Sequence, residues 1–109
     1  MLEAILGSTS SERVMMFLFA REAGYAREIA RFFGAGLDPI QKQLAKLEDG
    51  GILVSRQVGR TRLFSFNPRY PMIDELRTLL EKTLRFYPDD LRDRLLMNRR
   101  RPRRPGKPL

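Results

Sequence analysis

Residues 26–53 read AREIARFFGAGLDPIQKQLAKLEDGGIL. Over Ala26–Phe33 the apolar side chains fall on one face of a helix, and the glycines of residues 34–36 end that helix. A second helix is predicted to follow at once, because Asp38 is a good N-cap residue and Pro39 suits the first helical position. Its apolar stripe recurs at spacings of four and three residues: Ile40, Leu44 and Leu47. The stretch therefore predicts two helices joined by a tight turn.

A longer helix is predicted before this stretch. Residues 9–12 read TSSE, a capping box in which Thr9 is the N-cap residue and Glu12 reaches back to its backbone. Gly24 is predicted to end the helix. The apolar positions between them have helical spacing: Val14, Phe17, Leu18 and Ala20. The first half of the chain thus predicts three helices.

After residues 50–51, Gly-Gly, the apolar period changes from that of a helix to that of a strand. Two strands are predicted, Ile52–Val58 and Arg62–Asn67, with Gly59-Arg60 between them. Glycine at the first central position suits a two-residue type II′ turn, so we expect a β-hairpin with a basic tip. The apolar faces of the two strands are predicted to hold Ile52, Val54 and Val58 in the first, and Phe64 and Phe66 in the second.

Three helices followed by a two-stranded β-hairpin are the elements of a winged helix-turn-helix. The predicted fold class is therefore α+β and mostly α, with a three-helix core and the hairpin as its wing. Two further helices are predicted over about residues 71–97, the first from Pro71 and the second from Asp89 or Asp90. Residues 1–97 are expected to form one domain, and residues 98–109 a basic disordered tail.

The first of these C-terminal helices has an apolar stripe wider than the core of one small domain needs. We therefore expect it to be a dimerisation helix that joins two copies of the chain in a homodimer. The residues predicted to take part are Ile73, Leu76, Leu79, Leu80, Leu84, Phe86 and Tyr87.

The net charge of the 109-residue chain is +8, from 21 Lys and Arg and 13 Asp and Glu. Six of these bases and no acid lie beyond residue 98, so residues 1–97 carry 15 bases, 13 acids and a net charge of only +2. The six are Arg99, Arg100, Arg101, Arg103, Arg104 and Lys107. Positive charge points to a polyanionic partner. The tail is interpreted either as a clamp on phosphates or as a solvated end.

Cys and His are absent from the chain. Without them there is no disulfide framework, no thiolate or imidazole metal site and no histidine base, so we expect no metal, no cofactor and no enzymatic activity. The longest nearly apolar stretch, Val14–Ala20, is far shorter than the roughly 20 residues of a membrane-spanning helix. No secretory signal is seen, and the expected location is the cytoplasm.

Two runs, Glu28–Gly34 and Ile40–Leu53, resemble the winged helix of bacterial ArsR-like and MarR-like transcriptional regulators. The wing Arg56–Arg62 and the following Phe66-Asn67-Pro68 extend the resemblance, which covers about residues 8–84. It implies a regulator that reads double-stranded DNA with its third helix in the major groove and its wing on the flanking backbone or minor groove. ArsR-like metal sensors use Cys or His ligands, so the resemblance implies a regulator that does not sense metal.

The third helix presents a polar side to solvent. At about 100° per residue, Lys42 lies about 200° from Ile40 and points away from the core. Gln41 borders the same side, and Gln and Lys side chains read base edges in the major groove. Arginines of the wing and of the preceding helix suit phosphates or the minor groove. The predicted DNA contacts are Arg27, Pro39, Gln41, Lys42, Ala45, Lys46, Arg56, Arg60 and Arg62.

Other interpretations stay open. The lysines of the third helix are also compatible with a solvated face, and the wing arginines with a charged edge that keeps a small hairpin soluble. The same fold serves as a protein-interaction module, for example as the partner of a separately encoded nucleotidyltransferase. A winged helix that binds RNA is the other alternative.

Overall fold

The computed structural model describes residues 1–97, so the predicted tail lies outside the described residues. The elements in chain order are α1 (Glu3–Leu6), α2 (Thr9–Arg21), β1 (Ala23–Tyr25), α3 (Ala26–Phe33), α4 (Leu37–Asp49), β2 (Leu53–Val58), β3 (Thr61–Phe66), α5 (Ile73–Leu84) and α6 (Asp89–Met97). The three predicted core helices are α2, α3 and α4. This order confirms the mostly helical α+β winged helix.

The sheet has three strands rather than the predicted two. Its order is β1-β3-β2, and both pairings are antiparallel. Strand β1 has only three residues, too few to show an alternating pattern. It forms because the chain runs past the outer edge of β3 on its way from α2 to α3, where Gly24 pairs with Phe64.

The prediction that Gly24 ends α2 is wrong, because Gly24 lies in β1. The helix ends at Arg21, and the next residue, Glu22, takes the left-handed conformation with φ 72°. Glycine is required at position 24 by packing, since a Cβ there would lie 2.8 Å from Cε1 of Phe17. Phe17 has no exposed surface, so a side chain at position 24 would push it against the packed core.

Two predicted helix caps are wrong. Ser8, not Thr9, is the N-cap residue of α2, because its Oγ accepts a hydrogen bond from the backbone N–H of Ser11 at 3.0 Å. Helix α4 begins at Leu37 after Gly36, so Asp38 and Pro39 lie within its first turn. Proline is tolerated there because the first backbone N–H groups of a helix have no partner within the helix.

The β2–β3 hairpin turns at Gly59, which has φ +62°, and Val58 pairs with Thr61 across the turn. Arg60 does not have positive φ, which agrees with the predicted type II′ turn. The buried face of β3 holds Phe64 and Phe66, as predicted.

The predicted apolar face of β2 is wrong. Val54 is 40% exposed, whereas Leu53 is only 1% exposed. Leu53 pairs with Phe66, and directly paired residues share a face of the sheet. Ile52 is half-buried and precedes the strand, so the predicted alternation that starts at Ile52 does not give the buried face of β2.

The core is built around α2. This helix packs against α1, α3, α4, α5 and α6 and against two strands of the sheet. Its fully buried apolar side chains are Val14, Met16, Phe17 and Leu18. Because nearly every side of α2 is covered, the N-terminal and C-terminal helices belong to the same core as the helix-turn-helix.

A buried carboxylate joins α2 to the N-terminal residues and to the segment that follows α5. Glu12, 4% exposed, accepts hydrogen bonds from the backbone N–H of Leu2 at 2.6 Å and the amino group of Met1 at 3.1 Å. It also accepts a short hydrogen bond from the hydroxyl of Tyr87. Glu12 therefore links tertiary neighbours and does not close the capping box predicted with Thr9. Burial, together with this bond, raises the pKa of Tyr87.

An arginine at the other end of α2 attaches α6. Arg21 donates hydrogen bonds to the backbone carbonyls of Arg94 at 3.0 Å and Leu95 at 3.1 Å. Its guanidinium also lies over the rings of Phe17 and Phe32, 4.7 and 4.9 Å from their centroids. The carbonyls of a helix's last turn lack partners within the helix, so Arg21 satisfies groups that would otherwise need water.

The hydrogen bond between Tyr87 and Glu12 gives a first prediction. Tyr87→Phe should lower the free energy of unfolding by about 1–3 kcal/mol in urea denaturation, because a buried charged acceptor loses a donor. Tyr70→Phe is the control, since that hydroxyl makes no hydrogen bond within residues 1–97.

The same pair predicts a pH dependence. A raised pKa means that folded Tyr87 keeps a proton that the unfolded chain releases above about pH 10. The difference in free energy of unfolding between wild type and Tyr87→Phe should therefore have its full value below that pH and shrink as the pH rises further. A difference that stays constant up to pH 12 contradicts the raised pKa.

The close approach of Gly24 to Phe17 gives a second prediction. Gly24→Ala should destabilise the protein by about 1–3 kcal/mol, because the core around Phe17 must shift. Gly50→Ala is the control, because its Cβ would lie 3.5 Å from the nearest atom, the carbonyl oxygen of Lys46. Thermal and urea unfolding measure both, and equal effects of the two variants would contradict the packing argument.

Candidate nucleic-acid interface

A groove of about 530 Å³ separates helix α4 from the tip of the hairpin. The first turn of α3 closes one end of it. Its floor is largely apolar and its rim carries three arginines and one carboxylate. The lining residues are Tyr25, Ala26, Arg27, Gln41, Leu44, Ala45, Glu48, Arg60, Thr61, Arg62 and Phe64.

The groove brings together five of the nine residues predicted to contact DNA. They come from three separate elements or turns: Arg27 from α3, Gln41 and Ala45 from α4, and Arg60 and Arg62 from the hairpin. All five are exposed. Three guanidinium groups around one groove make it a cationic surface, with Glu48 as the opposing charge.

The other four predicted residues are exposed but do not line the groove. Pro39, Lys42 and Lys46 lie on the solvent side of α4. Arg56 lies on the opposite face of the hairpin from Arg62, because side chains alternate along a strand and Arg56 pairs with Leu63 while Arg62 pairs with Gln57. The three wing arginines therefore do not form a single cluster.

Arg27 is placed in the groove by the way α3 begins. The helix starts at Ala26 directly after β1, and the carboxylate of Glu28 accepts a hydrogen bond from the backbone N–H of Tyr25 at 3.2 Å. That bond fixes the first turn of α3 against the strand. Arg27 thus projects from a helix N-terminus, where backbone N–H groups and the helix dipole favour an anion.

Arg62 is held by neighbouring side chains. Its Nε donates to Oγ of Ser55 at 3.0 Å and its Nη1 donates to Oε1 of Gln57 at 3.0 Å. The Ser55 hydroxyl in turn donates to Oε2 of Glu48 at 2.6 Å. The wing is therefore connected to α4 by side-chain hydrogen bonds as well as by the core below it.

Sequence reasoning missed Glu48 and Ser55. Glu48 follows Gln41 and Ala45 at helical spacing, so a helical wheel of α4 already places it on the same side. The sequence gives no such indication for Ser55. Its contact with Arg62 depends on the register of the hairpin, and its contact with Glu48 depends on the packing of α4 against β2.

The predicted dimerisation residues have different environments. Leu80 and Leu84 are buried in the core of the single chain, and Tyr87 is half-buried beside Glu12. Phe86 is 67% exposed. The remaining three are partly buried against the core: Ile73, Leu76 and Leu79.

Residues 1–97 also lack two other features. No three acidic side chains in this part of the chain gather closely enough to hold a metal ion. The helices of the same residues also include none long and apolar enough to cross a membrane.

Solved structures with this fold exist. A mutant of ZitR from Lactococcus lactis in its apo form is 22% identical with a TM-score of 0.54, over 83% of this chain and 76% of that one. The adhesin competence repressor AdcR from Streptococcus pyogenes is 17% identical with a TM-score of 0.54, over 89% of this chain and 72% of that one. At these identities the similarity shows a shared winged-helix fold. Neither the models of known protein families nor the curated proteins give a match to the sequence.

Proposed function

We propose that the chain is a transcriptional regulator that binds double-stranded DNA. The observation that carries the proposal is the groove between α4 and the hairpin, where Arg27, Gln41, Ala45, Arg60 and Arg62 meet. A helix and a wing on either side of a cationic groove match the shape of duplex DNA. The helix enters the major groove, the wing reaches the adjacent minor groove or backbone, and one sugar-phosphate strand passes between them.

Within this proposal the residues of α4 divide into two roles. Gln41 lies on the groove side near the start of the helix, where an amide is suited to pair with an adenine edge. Lys42 and Lys46 are exposed on the outer side, where they reach guanine acceptors or phosphates. Ala45 on the groove side and Pro39 on the outer side contribute apolar contact.

The wing contacts are proposed to be unequal. Arg60 at the tip and Arg62 beside it face the groove and are assigned to the backbone or minor groove. Arg56 is on the other face of the hairpin, so its contribution is restricted to the general field of positive charge. The basic tail is proposed to add non-specific phosphate contacts.

The comparison with AdcR supports this function, since that protein is named as a repressor and shares the fold. We further propose that this regulator does not sense metal through Cys or His ligands, because the chain contains neither. It acts as a binding protein and not as an enzyme, and a regulator of this kind works where the DNA is, in the cytoplasm.

We also propose that the regulator is a homodimer, because a winged helix commonly reads two half-sites about one helical turn apart. Leu80 and Leu84 already serve the core of one chain, so the contact between copies falls to the outer residues of the predicted set. These are Ile73, Leu76, Leu79 and Phe86, of which Phe86 is the most exposed.

The third prediction tests the DNA contact. The combined variant Lys42→Ala, Arg60→Ala should lower the affinity for a selected duplex about tenfold or more, because it removes one contact from the helix and one from the wing. The duplex comes from selection on a random DNA pool run beside an RNA pool, and fluorescence anisotropy at fixed salt measures the affinity.

The matched control is Arg69→Ala with Lys82→Ala, which removes the same charge from exposed positions outside the groove. It should change the affinity less than about threefold. An unchanged affinity of the Lys42, Arg60 variant contradicts the docking. Enrichment of RNA over duplex DNA would instead favour the RNA-binding alternative, and enrichment of neither would favour a protein-interaction module.

The fourth prediction concerns the dimer. Sedimentation velocity should show a dimer of the wild type, and Phe86→Ser should shift it towards the monomer, because an exposed aromatic side chain is lost from the interface. Val54→Thr, at an exposed apolar position on the sheet, is the control and should remain dimeric. A wild type that stays monomeric at high protein concentration rules the dimer out.

A further inference from the structure

A line of hydrogen bonds runs from helix α4 to the tip of the hairpin. It begins at Glu48, whose Oε2 accepts from the hydroxyl of Ser55 at 2.6 Å. The Ser55 oxygen accepts from Nε of Arg62 at 3.0 Å, and Nη1 of Arg62 donates to Oε1 of Gln57 at 3.0 Å. Nε2 of Gln57 completes the line with a bond to the carbonyl of Gly59 at 3.1 Å. Helix α4 and the turn are thus connected by side-chain hydrogen bonds that end on a backbone carbonyl of the turn.

The register of the hairpin makes this line possible. Ser55 and Gln57 are two residues apart on β2 and therefore share a face, and Arg62 pairs directly with Gln57. The same face carries the buried Leu53 and Phe64 closer to the core. Arg62 therefore lies where the buried face of the hairpin emerges into the groove.

Ser55 has a particular place in this line because its hydroxyl has one proton and two lone pairs. It gives the proton to a carboxylate and accepts from a guanidinium, so both of its bonds involve a charged group. Such bonds are shorter and stronger than those between neutral groups. Alanine at this position would remove both bonds and separate Arg62 from Glu48.

We infer that Ser55 is a positioning residue for the nucleic-acid contact of Arg62, and this inference rests on the proposed function. Arg62 is exposed, and a long exposed side chain samples many rotamers unless it is held. With Nε and Nη1 bound, the guanidinium is held in one place, and Nη2 has no hydrogen-bond partner within residues 1–97. That nitrogen is left for a phosphate or a base edge. Holding the side chain before binding reduces the entropy lost on binding.

The hairpin itself does not depend on the Ser55 hydroxyl. Its strands are joined by backbone pairing from Leu53–Phe66 to Val58–Thr61, and its base is fixed by the buried side chains. Ser55→Ala should therefore fold like the wild type and change only the freedom of Arg62. Ser55→Thr keeps the hydroxyl and suits a strand. Ser65→Ala is the matched control, since Ser65 is half-buried on the other face of the sheet.

The first measurement uses the full chain without DNA. The side-chain Nε–Hε resonance of Arg62, identified by its loss in Arg62→Lys, should exchange slowly with water in the wild type, Ser55→Thr and Ser65→Ala. In Ser55→Ala it should exchange at least about tenfold faster, because the Hε has lost its acceptor. Equal exchange in Ser55→Ala and the wild type overturns the inference.

The second measurement is affinity for the selected duplex across a range of salt concentrations. Ser55→Ala should weaken binding about fivefold and lower the slope of log affinity against log salt by up to about 0.9, the value of one phosphate contact. Ser55→Thr and Ser65→Ala should stay within about twofold of the wild type. In an Arg62→Ala background, Ser55→Ala should have no further effect, because the residues act as one unit.

The outcomes separate the inference from the function on which it rests. If Ser55→Ala binds the duplex as tightly as the wild type, with the same salt slope, the positioning role is overturned and the proposed function is left intact. An additive effect of Ser55→Ala in the Arg62→Ala background overturns it too, since Ser55 would then act by another route. Failure of the wild type to bind any duplex overturns the proposed function and with it the role of Ser55 in DNA binding, even where the Nε–Hε exchange behaves as expected.

Discussion

The burial of helix α2 is the constraint on which the rest of the structure depends. Met16 and Phe17, adjacent in sequence, point to different sides of the helix, and both are fully buried. A helix that is apolar on nearly every side must be covered on every side. The other helices and the sheet do so, and the requirement reaches Gly24, where a side chain would collide with Phe17. The wing and the C-terminal helices are therefore held by one shared core.

Polar groups at the two ends of α2 decide how the outer helices are attached to that core. Glu12 is almost fully buried, and a buried carboxylate is costly unless its oxygens are bonded, so it binds the backbone of Leu2 and the hydroxyl of Tyr87. At the other end of α2, Arg21 donates hydrogen bonds to two backbone carbonyls of α6. Its guanidinium lies over the rings of Phe17 and Phe32. The hydrophobic effect does not depend on orientation, so these directional hydrogen bonds are what fix how the outer segments lie against the core.

The core also determines which charges face the groove. Phe64 and Phe66 hold the base of the hairpin on its inner face. Because side chains alternate along a strand, Arg62 lies on the same face as these phenylalanines and faces the groove. Arg56 lies on the opposite face. With Phe64 and Phe66 still facing inward, a shift of β2 by one residue would move Arg56 onto the same face as Arg62. The electrostatics of the proposed interface are thus a consequence of how two phenylalanines pack.

Features with local causes could be predicted from the amino-acid sequence: the bounds of α3, the turn at Gly59, the exposed side of α4 and the order of elements that makes a winged helix. Periodicity and turn geometry act over a few residues, so they can be recognised without the fold. The third strand, the buried face of β2 and the partners of Glu12 and Ser55 follow from how the folded chain packs and pairs, and could not be predicted in this way. Glu12 meets Tyr87 across 75 residues of the chain. Ser55 is only seven residues from Arg62, but the contact depends on the register in which β2 and β3 pair. Neighbours in sequence favour a capping box at Thr9 and an alternating strand from Ile52, whereas in the structure Glu12 bonds to Tyr87 and Leu53 is buried opposite Phe66.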